Sequence, residues 1–182
     1  MANIFIFHGI GGNPEENWFP WMKKELEELG HHVIVPQFPT PKNQTLSNWL
    51  KVLEKYKKYI TKGTIFIGHS LGVPFLLNVI EKQPVKAAVL VAGFVGKAEN
   101  KFDKYVKTFA QRTFNWSQIK KNCKNFLIFH SDNDPYLKLS KAEELAKNLK
   151  IKIILVKGAG HFNFSSGYRH FDLLLEKIKK LL

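Results

Sequence analysis

The stretch Thr64-Ile65-Phe66-Ile67-Gly68-His69-Ser70-Leu71-Gly72-Val73-Pro74-Phe75-Leu76-Leu77-Asn78-Val79-Ile80 decides how this chain folds. Thr64 to Ile67 form a short continuous apolar run bounded by glycine, which reads as a strand buried on both faces. Leu71 to Glu81 is apolar nearly all round and reads as a buried helix. Between the two lies the pattern G-x-S-x-G. A serine on so tight a strand-to-helix turn is held in a strained backbone conformation with its hydroxyl exposed, and Gly68 and Gly72 leave room where side chains would meet neighbouring backbone. The helix N-terminus behind it favours developing negative charge. Ser70 is therefore the candidate nucleophile, and the N–H of Leu71, the residue after it, is a candidate oxyanion donor.

Outward from this junction the same alternation repeats. Apolar runs at Asn3–Phe7, His32–Val35, Thr64–Ile67, Ala87–Val91, Asn125–His130 and Ile151–Val156 read as strands. Segments with helical spacing lie between and after them, at Trp18–Leu29, Leu46–Ile60, Leu71–Glu81, Ser140–Leu149 and Tyr168–Leu181. Ser140 with Glu143 matches a capping box opening the fourth of these. Alternating strands and helices require right-handed crossovers, so the expected class is α/β: a mainly parallel sheet of about six strands with helices on both faces. Without an internal repeat or an interdomain linker, residues 1–182 are expected to form a single domain. The prolines at 36, 39 and 41 read as an ordered loop leaving the second strand.

Composition narrows the function classes. The net charge of +13 invites a nucleic-acid partner, but only Arg112 and Arg169 are arginines and the lysines are dispersed, not interleaved with aromatics, so no nucleic acid is expected. No apolar stretch approaches a membrane span, and the opening residues MANIFIFHGI lack the features of a signal peptide, so the expected location is cytoplasmic. The single cysteine, Cys123, cannot form an internal disulfide. No metal-ligand spacing and no Walker-type phosphate loop occurs, and neither metal nor cofactor is expected.

A serine hydroxyl needs a base to take its proton, and the base needs an acid to hold its tautomer. Ligands of parallel sheets gather at the carboxyl ends of strands, and in this architecture the order along the chain is Ser, then Asp or Glu, then His. Among the seven histidines, His161 fits: it sits in the loop after the last strand and before the last helix. His31 and His32 fall at the amino end of a strand, His130 is expected to pack at a strand end, and His69 reads as structural. The acid should leave the strand before, where Ser131-Asp132-Asn133-Asp134-Pro135 offers two aspartates that spacing alone does not separate. The second oxyanion donor is expected from the loop after the first strand, at Ile10, with Gly11 as alternate. Phe94 and Trp116, with Phe102, Tyr105 and Phe109 at helical spacing, are candidates for an apolar substrate pocket, weighed against an ordinary core role.

Gly68-His69-Ser70-Leu71-Gly72 after one strand, Asp132-x-Asp134-Pro135-Tyr136 after a later one, Gly160-His161-Phe162 near the end and Trp18-x-x-Trp21 near the start together carry a resemblance. Across nearly its whole length the chain resembles the small serine hydrolases of the α/β-hydrolase fold typified by retinoblastoma-binding protein nine. The resemblance implies Asp134, the aspartate before proline, as the acid beside Ser70 and His161, and a compact core without a large lid. The first loop departs from that family: His8-Gly9-Ile10-Gly11-Gly12 is closer to the H-G-x of lipases, so no substrate preference carries over. The expected activity is hydrolysis of a small ester, thioester or amide through an acyl-enzyme. The alternative is a protein-binding module on a hydrolase scaffold, with little or no catalysis.

Overall fold

Side chains alternate across a strand, so each strand of this chain feeds two cores at once. The computed structural model describes residues 1–182 and shows six strands: β1 (Asn3–Phe7), β2 (His32–Ile34), β3 (Ile65–His69), β4 (Ala87–Val91), β5 (Asn125–Ser131) and β6 (Ile153–Val156). They form one sheet in the order β2-β1-β3-β4-β5-β6, and every pairing is parallel. Phe5, Phe7, Phe66, Ala88 and Leu90 point into one core of 32 buried residues, while Ile4, Ile6, Ile65, Ile67, Val89 and Val91 point into another of 20.

Helices cover both faces. The larger core lies under α2 (Leu46–Glu54), α3 (Gly72–Ile80), α4 (Asp103–Ala110), α5 (Trp116–Asn122) and α6 (Leu139–Leu149), which contribute Trp49, Phe75, Phe109, Ile119 and Leu145. The smaller lies under α1 (Phe19–Glu28) and α7 (Asp172–Lys179), through Met22, Leu26, Leu174 and Ile178. All nine residues of α3 are buried, in keeping with its apolar sequence. No helix is long and apolar enough to cross a membrane.

Several boundaries differ from the sequence reading. The second helix stops at Glu54, because the Lys55 and Tyr56 N–H groups turn to Val52 and Leu53, three residues back, and a single 3-10 turn follows at Lys57–Tyr59. The capping box at Ser140 does not form: the helix begins at Leu139 with Lys138 as its N-cap, so Ser140 already lies inside the first turn. The last helix begins only at Asp172, since Phe171 has a non-helical backbone (φ −143°, ψ 70°) and the Tyr168 N–H is committed to the Asn163 carbonyl. Between β4 and β5 the chain forms α4 and α5, two helices beyond those expected from the sequence, in its aromatic-rich stretch. Asn115 caps α5, its Oδ1 accepting from the Gln118 N–H.

Candidate active site

Ser70 sits between β3 and α3 with φ +55°, a left-handed conformation that costs a non-glycine residue ~1–3 kcal/mol. Its surroundings fix it there. The Ser70 N–H donates to the Val91 carbonyl on β4 at 2.9 Å, and its own carbonyl accepts from Val73 at 3.0 Å. Both flanking glycines are required by close approach: a Cβ on Gly68 would lie 2.6 Å from Leu76 Cδ2, and one on Gly72 would overlap the Phe7 carbonyl on β1. The Ser70 hydroxyl faces a cavity of about 220 Å³ at the carboxyl edge of the sheet.

His161 reaches the same cavity from the loop after β6. Its Nδ1 lies 2.7 Å from Asp134 Oδ2, in the loop after β5, and both side chains are buried. A carboxylate can only accept, so Nδ1 carries a proton in this contact. Asp134 Oδ1 accepts from the Tyr136 and Leu137 N–H groups at 2.8 and 3.1 Å. Burial alone would raise the Asp134 carboxyl, but the His161 imidazole and these two N–H groups hold it below its ordinary value. Asp132 does not approach His161; its Oδ1 accepts from the Gly158 N–H at 2.8 Å.

That contact belongs to a lacing of the two loops. Ser131 Oγ accepts from the Ala159 N–H at 3.0 Å and Asn133 Oδ1 from the Gly160 N–H at 2.7 Å. Three successive residues at the end of β5 and just beyond it thus hold three successive N–H groups just before His161. On its other side, the His161 carbonyl accepts from His69 Nε2 at 2.8 Å. Complete burial, with His161 nearby, pushes His69 down to about 3, so it stays neutral and acts as a fixed donor.

The loop after β1 is set by another buried histidine. The Phe38 N–H donates to His8 Nε2 at 3.0 Å, which puts the His8 proton on Nδ1, where it meets the Gly9 carbonyl at 2.8 Å. Burial lowers the His8 pKa and keeps that tautomer neutral. In a trans peptide the carbonyl and the following N–H point opposite ways, so a Gly9 carbonyl turned to His8 turns the Ile10 N–H away from it. Gly9 and Ile10 line the cavity. Neither the Ile10 nor the Leu71 N–H donates a backbone hydrogen bond.

Of the pocket candidates, Phe94 and Phe102 line the cavity. Trp116 does not: it opens α5 and packs at the margin of the larger core, its ring 5.5 Å from that of Phe114. Phe109 is buried against Trp49, and Tyr105 serves through its carbonyl, which accepts from Gln44. Trp18 is buried, its Nε1 donating to the Phe162 carbonyl, and Trp21 packs beside His170. The sequence reading missed Glu16, Asn17, Ala98, Asn100, Val106, Tyr136, Leu137 and Asn163, which complete the lining. The available signal was position alone, since each lies beyond the carboxyl end of a strand, all in loops but Val106 on α4.

Comparison with known proteins gives the family of the chain. The serine hydrolase family matches residues 4–180, nearly the whole chain. The chain belongs to that family. This serine hydrolase is 28% identical over 182 residues to the serine hydrolase RBBP9 of Rattus norvegicus, covering all of this chain and 95% of the relative. It is 25% identical over 177 residues to YdeN of Bacillus subtilis, covering 95% of this chain and 92% of that one. The crystal structure of the ydeN gene product superposes with a TM-score of 0.91 at 24% identity, over all of this chain and 98% of the other. Est1E from Butyrivibrio proteoclasticus, solved with ferulic acid bound, shares the fold at a TM-score of 0.74 and 21% identity, over 99% and 87% of the two chains.

Proposed function

We propose that this serine hydrolase acts through Ser70 as nucleophile, His161 as general base and Asp134 as the acid that holds the base, with the Ile10 and Leu71 N–H groups as the oxyanion hole. The observation that carries the reading is the 2.7 Å contact of His161 Nδ1 with the buried Asp134 Oδ2, made by a histidine that lines the same cavity as Ser70. Ser70 Oγ attacks the acyl carbon and its proton passes to His161 Nε2, while the carbonyl electron pair moves onto oxygen and is met by the two N–H groups. Collapse breaks the bond to the alcohol, thiol or amine, which leaves with the proton held by His161. Water then enters by the same route, releases the acid and restores Ser70. Asp134 stays ionised throughout, stabilising the imidazolium.

The substrate is a small acyl compound. Phe94, Ala98, Phe102, Val106 and Leu137 give the cavity an apolar wall suited to an acyl chain. An ester is the first choice of bond, supported by the fold shared with Est1E and its bound ferulic acid. Ser70→Ala and His161→Ala are each expected to lower kcat for an activated ester by ~10³ to 10⁶, and the double variant by little more than the worse single, because the residues act as a unit. Retained turnover in both folded single variants would overturn the assignment.

A further inference from the structure

The cavity has two walls of different chemistry. Phe94, Ala98, Val106 and Leu137 belong to the larger core and carry its apolar surface up to Ser70. The opposite wall is built from Glu16, Asn17 and Asn163, where Asn17 and Asn163 flank Trp18 and Phe162 of the smaller core on the other face of the sheet.

Charge separates the walls further. The chain has 28 lysines and arginines, yet none of them lines the cavity. Apart from the two histidines, Glu16 is the one ionisable acid or base, tyrosine aside, among the 15 that do. Its carboxylate lies against Gly12, where a Cβ would come within 2.6 Å of Oε1, two residues from Ile10. It has no ion-pair partner. Burial raises the Glu16 carboxyl above its ordinary value, with the nearby Asn13 backbone and Asn17 side chain pulling the other way. A half-buried carboxylate held in place without a counterion is incomplete in the way that a ligand cation would complete. The remote lysines do not substitute for that contact, since salt screens exposed charges beyond about 8 Å at physiological ionic strength.

We propose that Glu16 is a specificity-determining residue, and that the preferred substrate joins an apolar acyl group to an arm bearing a positive charge, the acyl chain lying on the Phe94 wall and the cation against Glu16. This rests on the hydrolase reading above and sharpens it from a small acyl compound to a cationic ester.

Two esters of the same shape test it: butyrylcholine, and 3,3-dimethylbutyl butyrate, in which a neutral carbon replaces the ammonium nitrogen. The wild-type protein should favour the choline ester by ~3- to 5-fold in kcat/KM, the order that one partly shielded ion pair supplies. Glu16→Gln should bring the ratio to within about twofold of one. Equal rates in the wild type, or a preference that survives Glu16→Gln in a folded protein, would overturn the proposal. Should Glu16→Gln fail to fold, wild-type inhibition decides: choline must compete more strongly than 3,3-dimethylbutanol, and equal competition refutes it. Affinities of the two esters for Ser70→Ala, read by calorimetry, report the same preference without turnover. If the wild type hydrolyses neither ester, fluorophosphonate labelling of Ser70 decides the triad reading, while this affinity ratio decides the role of Glu16.

Discussion

Replacing Asp134 by asparagine separates the two aspartates of the loop after β5 by a single atom. Asparagine Oδ1 can still accept from Tyr136 and Leu137, as Asp134 Oδ1 does now, so the turn is kept. The other atom becomes an NH₂ group facing His161 Nδ1 at what is now 2.7 Å. Two donors cannot meet, so the imidazole must move its proton to Nε2, the nitrogen that has to take the serine proton. The wrong tautomer costs ~10⁴ in kcat where such a triad operates. Asp132→Asn keeps an Oδ1 acceptor for the Gly158 N–H and should cost about tenfold or less through loop position. The assay is steady-state hydrolysis of an activated ester, with circular dichroism to show that both variants fold. Asp134→Asn retaining more than about a tenth of wild-type kcat would refute the tautomer argument. So would Asp132→Asn being the inactive variant.

Further expectations follow from the packing and the buried histidines. Gly72→Ala drives a Cβ into the Phe7 carbonyl, a backbone atom that cannot swing aside, and should lower stability by ~3 kcal/mol or more; an unchanged denaturation midpoint would contradict the close approach. His69 is held near 3 when folded against an ordinary 6.5, so the unfolded chain binds the extra proton and stability is lost as pH falls from 6.5 towards 3. That is a loss of about 2 kcal/mol at pH 5 from His69 alone, with His8, His130 and Asp134 acting in the same direction. Urea melts showing equal stability at pH 7.5 and pH 5 would contradict it. Asn133→Ala removes the acceptor that holds the Gly160 N–H beside His161, and should lower kcat by ~10- to 100-fold with less effect on KM. A larger change in KM than in kcat would assign Asn133 to substrate binding instead.

The parts of this molecule that local chemistry dictates were legible in its sequence. The strand at Ile65–His69, the elbow and the buried α3 follow from apolar continuity broken by two glycines, and all six strands lie within a few residues of their expected positions. Helix ends were less legible, because backbone groups three residues away compete for the same N–H, as at Lys55 and Tyr56. The choice between Asp132 and Asp134 could not be read from spacing: it depends on which carboxylate the loop turns towards β6, and that turn is set by contacts across 26 and 27 residues. Trp116 shows the same limit from the other side. An aromatic residue following β4 has the composition of a pocket residue, but α5 carries it to the margin of the core beside Phe114. Glu16 and Asn163 lie on loops with no motif, and only the folded sheet edge brings them to Ser70.

The central claim is that Ser70 is a nucleophile made reactive by His161, and covalent labelling tests it without knowledge of the substrate. A fluorophosphonate should add once to the native protein, with the mass gain mapped to the peptide containing Ser70, and should not add to Ser70→Ala. With His161→Ala the labelling rate should fall by at least ~10³, because the hydroxyl has lost its base. Labelling of the Ser70→Ala protein at the wild-type rate, or no labelling of the folded wild type, would contradict the account.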